Sequence, residues 1–170
     1  LKECLFKMRK LLSVIFCVAL LFSFSACSDK NTEAKKASIE VKLEFNEEKS
    51  NGNKVCMNTN LPVGTLLDVD IFVGDKFHST ETVKVQADAA ENYFITSSQK
   101  DRDEKDIPDG RYILQINMIE VDKQPTGVLE KIGVKGELLK GTDVYNSNDG
   151  KTIKFSRPIE KKGDQFTMPE

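Results

Sequence analysis

PDGRYILQINM, residues 108–118, is the stretch on which the fold turns. Pro108-Asp109-Gly110 reads as a turn: proline presets its own φ, and glycine takes backbone angles that a Cβ disfavours. Leu114, Ile116 and Met118 then alternate with Ile113, Gln115 and Asn117. A period of two puts successive side chains on opposite faces of a strand, so one face is predicted to enter a core.

The same pattern recurs on either side. Upstream, Leu67, Val69, Ile71 and Val73 alternate with Asp68, Asp70 and Phe72, after a Pro/Gly loop at Thr59–Thr65. Ile39, Val41, Leu43 and Phe45 alternate with Glu40, Lys42 and Glu44, the strictest strand signal in the chain. Asn46 to Asn53 supplies a turn with Asn51-Gly52 at its tip, and Lys54–Asn58 is predicted to return as a strand. Lys76–Gln86 reads as a further strand or hairpin, and Asn92–Ser97 as a short strand. Downstream, Gln124-Pro125 stops the strand, and Thr126–Ile132 is predicted to make one or two helical turns, weakened by Gly127. Tyr145–Gly150 is a turn and Thr152–Ile159 a last strand, with Ile153 and Phe155 facing in; a frayed charged tail is expected over 161–170. About seven short strands and no long amphipathic helix predict an all-β domain over 37–160, an antiparallel two-sheet sandwich.

The spacing of turn, glycine and tyrosine carries a resemblance. Tyr112, two residues after Gly110 at the head of a strand, resembles the corner tyrosine of fibronectin-type and immunoglobulin-like sandwiches. That resemblance implies an immunoglobulin-like sandwich in which the Tyr112 hydroxyl bonds back to the preceding corner. Asn60–Thr65 (NLPVGT), Pro108–Tyr112, Gln124-Pro125 and Ile132–Gly141 (IGVKGELLKG) together resemble small bacterial lipoproteins and secreted β domains. This second likeness implies a domain type and no activity.

Location is written at the other end. Met8 to Cys27 reads MRKLLSVIFCVALLFSFSAC: two basic residues, an apolar or hydroxyl run from Leu11 to Phe24, then Ser25, Ala26 and Cys27. That order is the layout of a secretory signal peptide helix. Leu11–Ala26 is 16 residues, short of the roughly 20 that a helix needs to cross the bilayer. Phe24-Ser25-Ala26-Cys27 resembles the lipobox of bacterial lipoproteins, with Phe24 where leucine is usual. The resemblance implies a diacylglycerol in thioether linkage on Cys27, cleavage between Ala26 and Cys27, and attachment to the extracytoplasmic face of the cell membrane. Leu1–Lys7 precedes the basic start, and translation is expected to begin at Met8. Residues 1–26 are then the signal peptide, and 27–36, polar and aperiodic, a flexible tether.

Cleavage would remove four basic residues (Lys2, Lys7, Arg9, Lys10) and one acidic (Glu3) from totals of 25 and 27. What remains, 21 basic and 26 acidic residues, carries a net charge of about −5. Nucleic acid is excluded as a partner on this balance, because phosphate neutralisation needs a basic excess. Cys4 and Cys17 leave with the signal and Cys27 takes lipid, so Cys56 is alone and no intramolecular disulfide is expected. Cys56 reads as a small buried hydrophobe.

Three functions follow from these residues. The first is a non-enzymatic, lipid-anchored module that binds an envelope protein or polymer, with Asn60–Thr65 and Gln124–Gly141 as candidate contact loops and no cofactor. The second is an envelope hydrolase using His78, the lone histidine, with the paired carboxylates Asp68 and Asp70. The third is calcium binding through the acidic loop Asp101–Asp109 (DRDEKDIPD), although Lys105 and Asp106 stand where an EF-hand needs an acidic ligand and a glycine.

Overall fold

The structure, a computed structural model, describes residues 36–74, 76–100, 103 and 105–169, with only the backbone at 76–78. The signal peptide, Ala26, Cys27 and nearly all of the tether lie outside the described residues.

The strands are β1 (Ile39–Glu40), β2 (Leu43–Phe45), β3 (Cys56–Thr59), β4 (Leu66–Val73), β5 (Lys76–Lys84), β6 (Asn92–Ile95) and β7 (Gly110–Met118). A 3₁₀ turn (Val121–Lys123) and the helix α1 (Thr126–Ile132) follow, then β8 (Leu139–Lys140), β9 (Val144–Ser147), β10 (Gly150–Lys162) and β11 (Gln165–Thr167). Six strands form the larger sheet in the order β11-β10-β7-β4-β5, with β9 also on β10; β2-β3-β6 form the smaller one. Every pairing in these two sheets is antiparallel. The described residues are all-β with a sandwich-like arrangement, and α1 is the single α-helix among them. No described helix is long and apolar enough to cross a membrane.

Alternation explains the core. Leu67, Val69 and Ile71 of β4 and Leu114 and Ile116 of β7 are fully buried, and they meet Met57 and Phe94 of the smaller sheet in one cluster. Each such side chain contributes roughly 1.5–3 kcal/mol by leaving water. Cys56 belongs to the buried set and is a free thiol, as its apolar context predicts. Burial pushes its thiol pKa up, partly offset by Lys49. At the head of β7 the Tyr112 hydroxyl donates to the Pro108 carbonyl at 2.6 Å, the bond that the resemblance of Tyr112 to a corner tyrosine implied.

Two stretches depart from the sequence pattern. Ile39–Phe45 is not one strand. Its first half pairs in parallel with β8, Ile39 opposite Leu139, and its second half pairs antiparallel with β3. Asn60 makes the change of partner: its Oδ1 accepts from the Lys42 N–H at 2.9 Å and its Nδ2 donates to the Glu40 carbonyl. A chain that switches neighbours without turning over keeps its period of two, so alternation alone shows one strand. The second departure is the C-terminus. In place of a frayed tail over 161–170, β10 runs on to Lys162 and β11 returns beside it with Phe166 fully buried. A single apolar residue in a charged stretch is too little for a periodicity signal, yet that residue anchors the hairpin.

Candidate functional site

The loops singled out as contact surfaces are built into the scaffold. Leu61 is fully buried, and the buried Thr65 donates its hydroxyl to the Pro62 carbonyl at 2.7 Å. Gln124 is 4% exposed and spans two elements. Its Oε1 accepts from the Leu66 N–H at 2.9 Å, and its Nε2 donates to the carbonyls of Leu66 at 2.9 Å and Ile119 at 3.1 Å. In the segment after α1, the Glu137 carboxylate accepts the Lys135 N–H, and backbone N–H bonds hold its pKa below the usual carboxylate range. Val63 and Val134 are the large apolar side chains of these two loops that stand well out into solvent, at 47% and 73% exposure. The motif residues Asn60, Thr65 and Gln124 thus bond backbone groups, as the buried Thr65 and Gln124 must to stay satisfied.

The two carboxylates of the hydrolase reading lie on a sheet surface. Asp68 and Asp70 point away from the core on β4. Asp68 Oδ1 accepts from Thr82 Oγ1 at 2.6 Å, and Asp70 Oδ2 accepts from Asn117 Nδ2 at 3.2 Å. His78 falls at an irregularity in β5: Ile71 pairs with Ser79 and Phe72 with Phe77, so His78 has no opposite number on β4. The His78 side chain is outside the described residues.

In the acidic loop, Asp101, Arg102 and Glu104 are outside the described residues. Lys100 and Asp106 bridge across the loop, with Nζ 3.9 Å from the carboxylate. Asp109 is committed to the β10–β11 turn: its Oδ1 accepts the Gly163 N–H at 2.9 Å and lies 3.5 Å from Lys161 Nζ. Lys161 is itself buried and donates to the Gly163 carbonyl. Among the described residues, no group of three or more His, Cys, Asp or Glu side chains is placed to hold a metal ion.

A site of a different kind lies on the outer face of the smaller sheet. The register sets Glu44, Asn58 and Tyr93 side by side across β2, β3 and β6. The β5–β6 loop rises next to them, and the two enclose a cleft of about 320 Å³ lined by Lys42, Glu44, Asn58, Asn60, Asp88 and Glu91 among others. That volume is at the small end of ligand sites, roughly 300–1,000 Å³. The loop is fixed at both ends. Gln86 and Tyr93 exchange backbone hydrogen bonds of 2.7 and 3.0 Å, and Asn92 Nδ2 donates to the Leu61 carbonyl at 2.8 Å. In its middle, Asp88 pairs with Lys49 at 3.0 Å, and that ammonium also lies 4.9 Å from the centre of the Tyr93 ring. The Lys49 hydrogen bond, then the Ala89 N–H, hold the Asp88 carboxyl below its usual pKa; the same bond raises Lys49.

The chemistry of the cleft follows from what remains uncommitted. Asn58 Oδ1 accepts from Asn46 Nδ2 at 3.1 Å, which leaves its own Nδ2 for the cleft. Asn60 is spent on the backbone at both ends of its amide, and Asp88 on Lys49. Among the described residues, the side chains of Lys42, Glu44 and Glu91 make no hydrogen bond or ion pair. The cleft offers one ammonium, two carboxylates and an amide donor, and it can bind a small polar ligand. The sequence held half of this: Glu44 is on the solvent side of a strict alternation. The loop Ala87–Glu91 has no periodicity or motif, and long-range contacts such as the Gln86–Tyr93 bridge and the Lys49–Asp88 pair bring it to Glu44. No protein-family model matches the chain, and no curated protein or solved structure shows significant similarity to it.

Proposed function

We propose that this chain is a bacterial lipoprotein, anchored at the extracytoplasmic face of the cell membrane through a diacylglycerol on Cys27, whose β domain is a binding module for an envelope component. The observation that carries the proposal is the order basic pair, apolar run, small residues, cysteine in Met8–Cys27. A single acylated residue bearing two chains suffices for stable attachment, so the acidic chain needs no polybasic patch. The immunoglobulin-like classification is supported by the Tyr112–Pro108 corner bond at the head of β7. The binding role is supported by the cleft beside Glu44, a polar recess whose wall is held by an ion pair and two backbone bonds before any ligand arrives. Preformed recesses of this kind lose little entropy on binding.

Cys27→Ala tests the anchor, because the chemistry needs the thiol. The expected product is a full-length, unacylated precursor. A Cys27→Ala chain that is still trimmed and still membrane-held would overturn the proposal.

A further inference from the structure

We propose that the cleft between the outer face of β2-β3 and the Ala87–Glu91 loop binds a primary ammonium group carried on a hydroxylated ring, the chemistry of an unacetylated amino sugar. The inference rests on the binding-module reading and names its ligand class.

Charge decides the sign of the ligand. Glu44 and Glu91 face a single ammonium, Lys42, and none of the three is neutralised by a neighbour among the described residues, whereas Asp88 is already paired with Lys49. A phosphate or carboxylate ligand would meet two like charges for each opposite one. An ammonium meets the reverse and completes the balance. Donors decide the carrier. Asn58 Nδ2 and Lys42 Nζ present N–H groups that need acceptors, and sugar hydroxyl and ring oxygens supply them. An alkyl polyamine has no acceptor to offer and would set its own cations against Lys42. The cleft's polar rim likewise gives an apolar ligand nothing to bury against. Recognition is prepaid in the wall, where Lys49 is held by Asp88 and by the Tyr93 ring, so the Asp88–Glu91 segment keeps its place.

The test is calorimetric titration of the full chain in detergent with three probes: the β-1,4-linked glucosamine tetramer, its fully N-acetylated counterpart, and spermidine. The glucosamine tetramer is expected to bind, and acetylation, which removes the charge, to weaken binding about tenfold or more. Glu44→Gln and Glu91→Gln are each expected to weaken the glucosamine tetramer about two- to fivefold. Both are surface positions, so an unchanged thermal transition certifies that the variants fold. Equal binding of the acetylated tetramer, equal or tighter binding of spermidine, wild-type binding by both variants, or no binding of the glucosamine tetramer would each overturn the ligand class. Retention of the chain by purified cell-wall polymer separates the two claims. If polymer holds the chain while glucosamine does not, the ligand class is wrong and the binding-module reading stands.

Discussion

Tyr112 shows how far one residue can be read. Its place two residues after Gly110 is visible in the sequence, and its hydroxyl reaches the Pro108 carbonyl at 2.6 Å. Burial, and secondarily the Asp109 carboxylate, push its pKa above the ordinary value of 10.0. The sign of the linkage follows. A group whose folded pKa is raised contributes stability that is full below the unfolded pKa and is lost as pH climbs through the folded one. Stability is therefore expected to fall as pH rises above about 10. Tyr112→Phe should cost about 1 kcal/mol at neutral pH and flatten that alkaline loss; denaturant midpoints at pH 7 and above pH 10 measure both. An unchanged alkaline slope would mean that Tyr112 does not carry it. Asn60, Gln124 and Asp109 are equally visible as polar residues in turns. Their partners are backbone groups up to 58 residues away in the chain, and no local pattern announces those.

Elements are legible where the chain alternates and has one set of neighbours. β4, β5, β6, β7 and α1 follow their predicted spans closely. Ile39–Phe45 misleads because a switch of partner from β8 to β3 leaves the period intact, and β11 escapes notice because one buried phenylalanine makes no period. The glycines around α1 separate these two kinds of information by experiment. Gly127 lies exposed in α1 with no atom within 4 Å of the place a Cβ would take, so Gly127→Ala is expected to stabilise the fold by about 0.5–1 kcal/mol. Gly136 has φ +65° and a Cβ there would come within 2.5 Å of the Lys151 carbonyl oxygen. Gly136→Ala is expected to destabilise by about 1–3 kcal/mol, because the backbone must leave both a left-handed conformation and a close approach. Thermal or urea unfolding of the pair decides this; two shifts of the same sign would show that the β8 corner is not held as described.

At the scale of the molecule, fold class and candidate site are legible to different degrees. An all-β sandwich-like domain follows from the number and length of alternating runs, which burial against a second sheet requires. The cleft depends on register between β2, β3 and β6 and on a loop without pattern, so no reading of the chain in order brings Glu44 to Glu91. The loops with the most conspicuous motifs hold the domain together, and of the uncommitted charges Lys42 and Glu44 lie on the alternating stretch while Glu91 lies in the loop without pattern. In the proposed function, attachment to the membrane rests on Cys27 alone. The most direct measurement is mass spectrometry of the N-terminal peptide of the chain extracted from membranes. The expected peptide begins at Cys27 and carries a diacylglycerol on its sulfur. A peptide that runs intact through Ala26-Cys27, or one that bears a free Cys27 thiol, would contradict the proposed attachment.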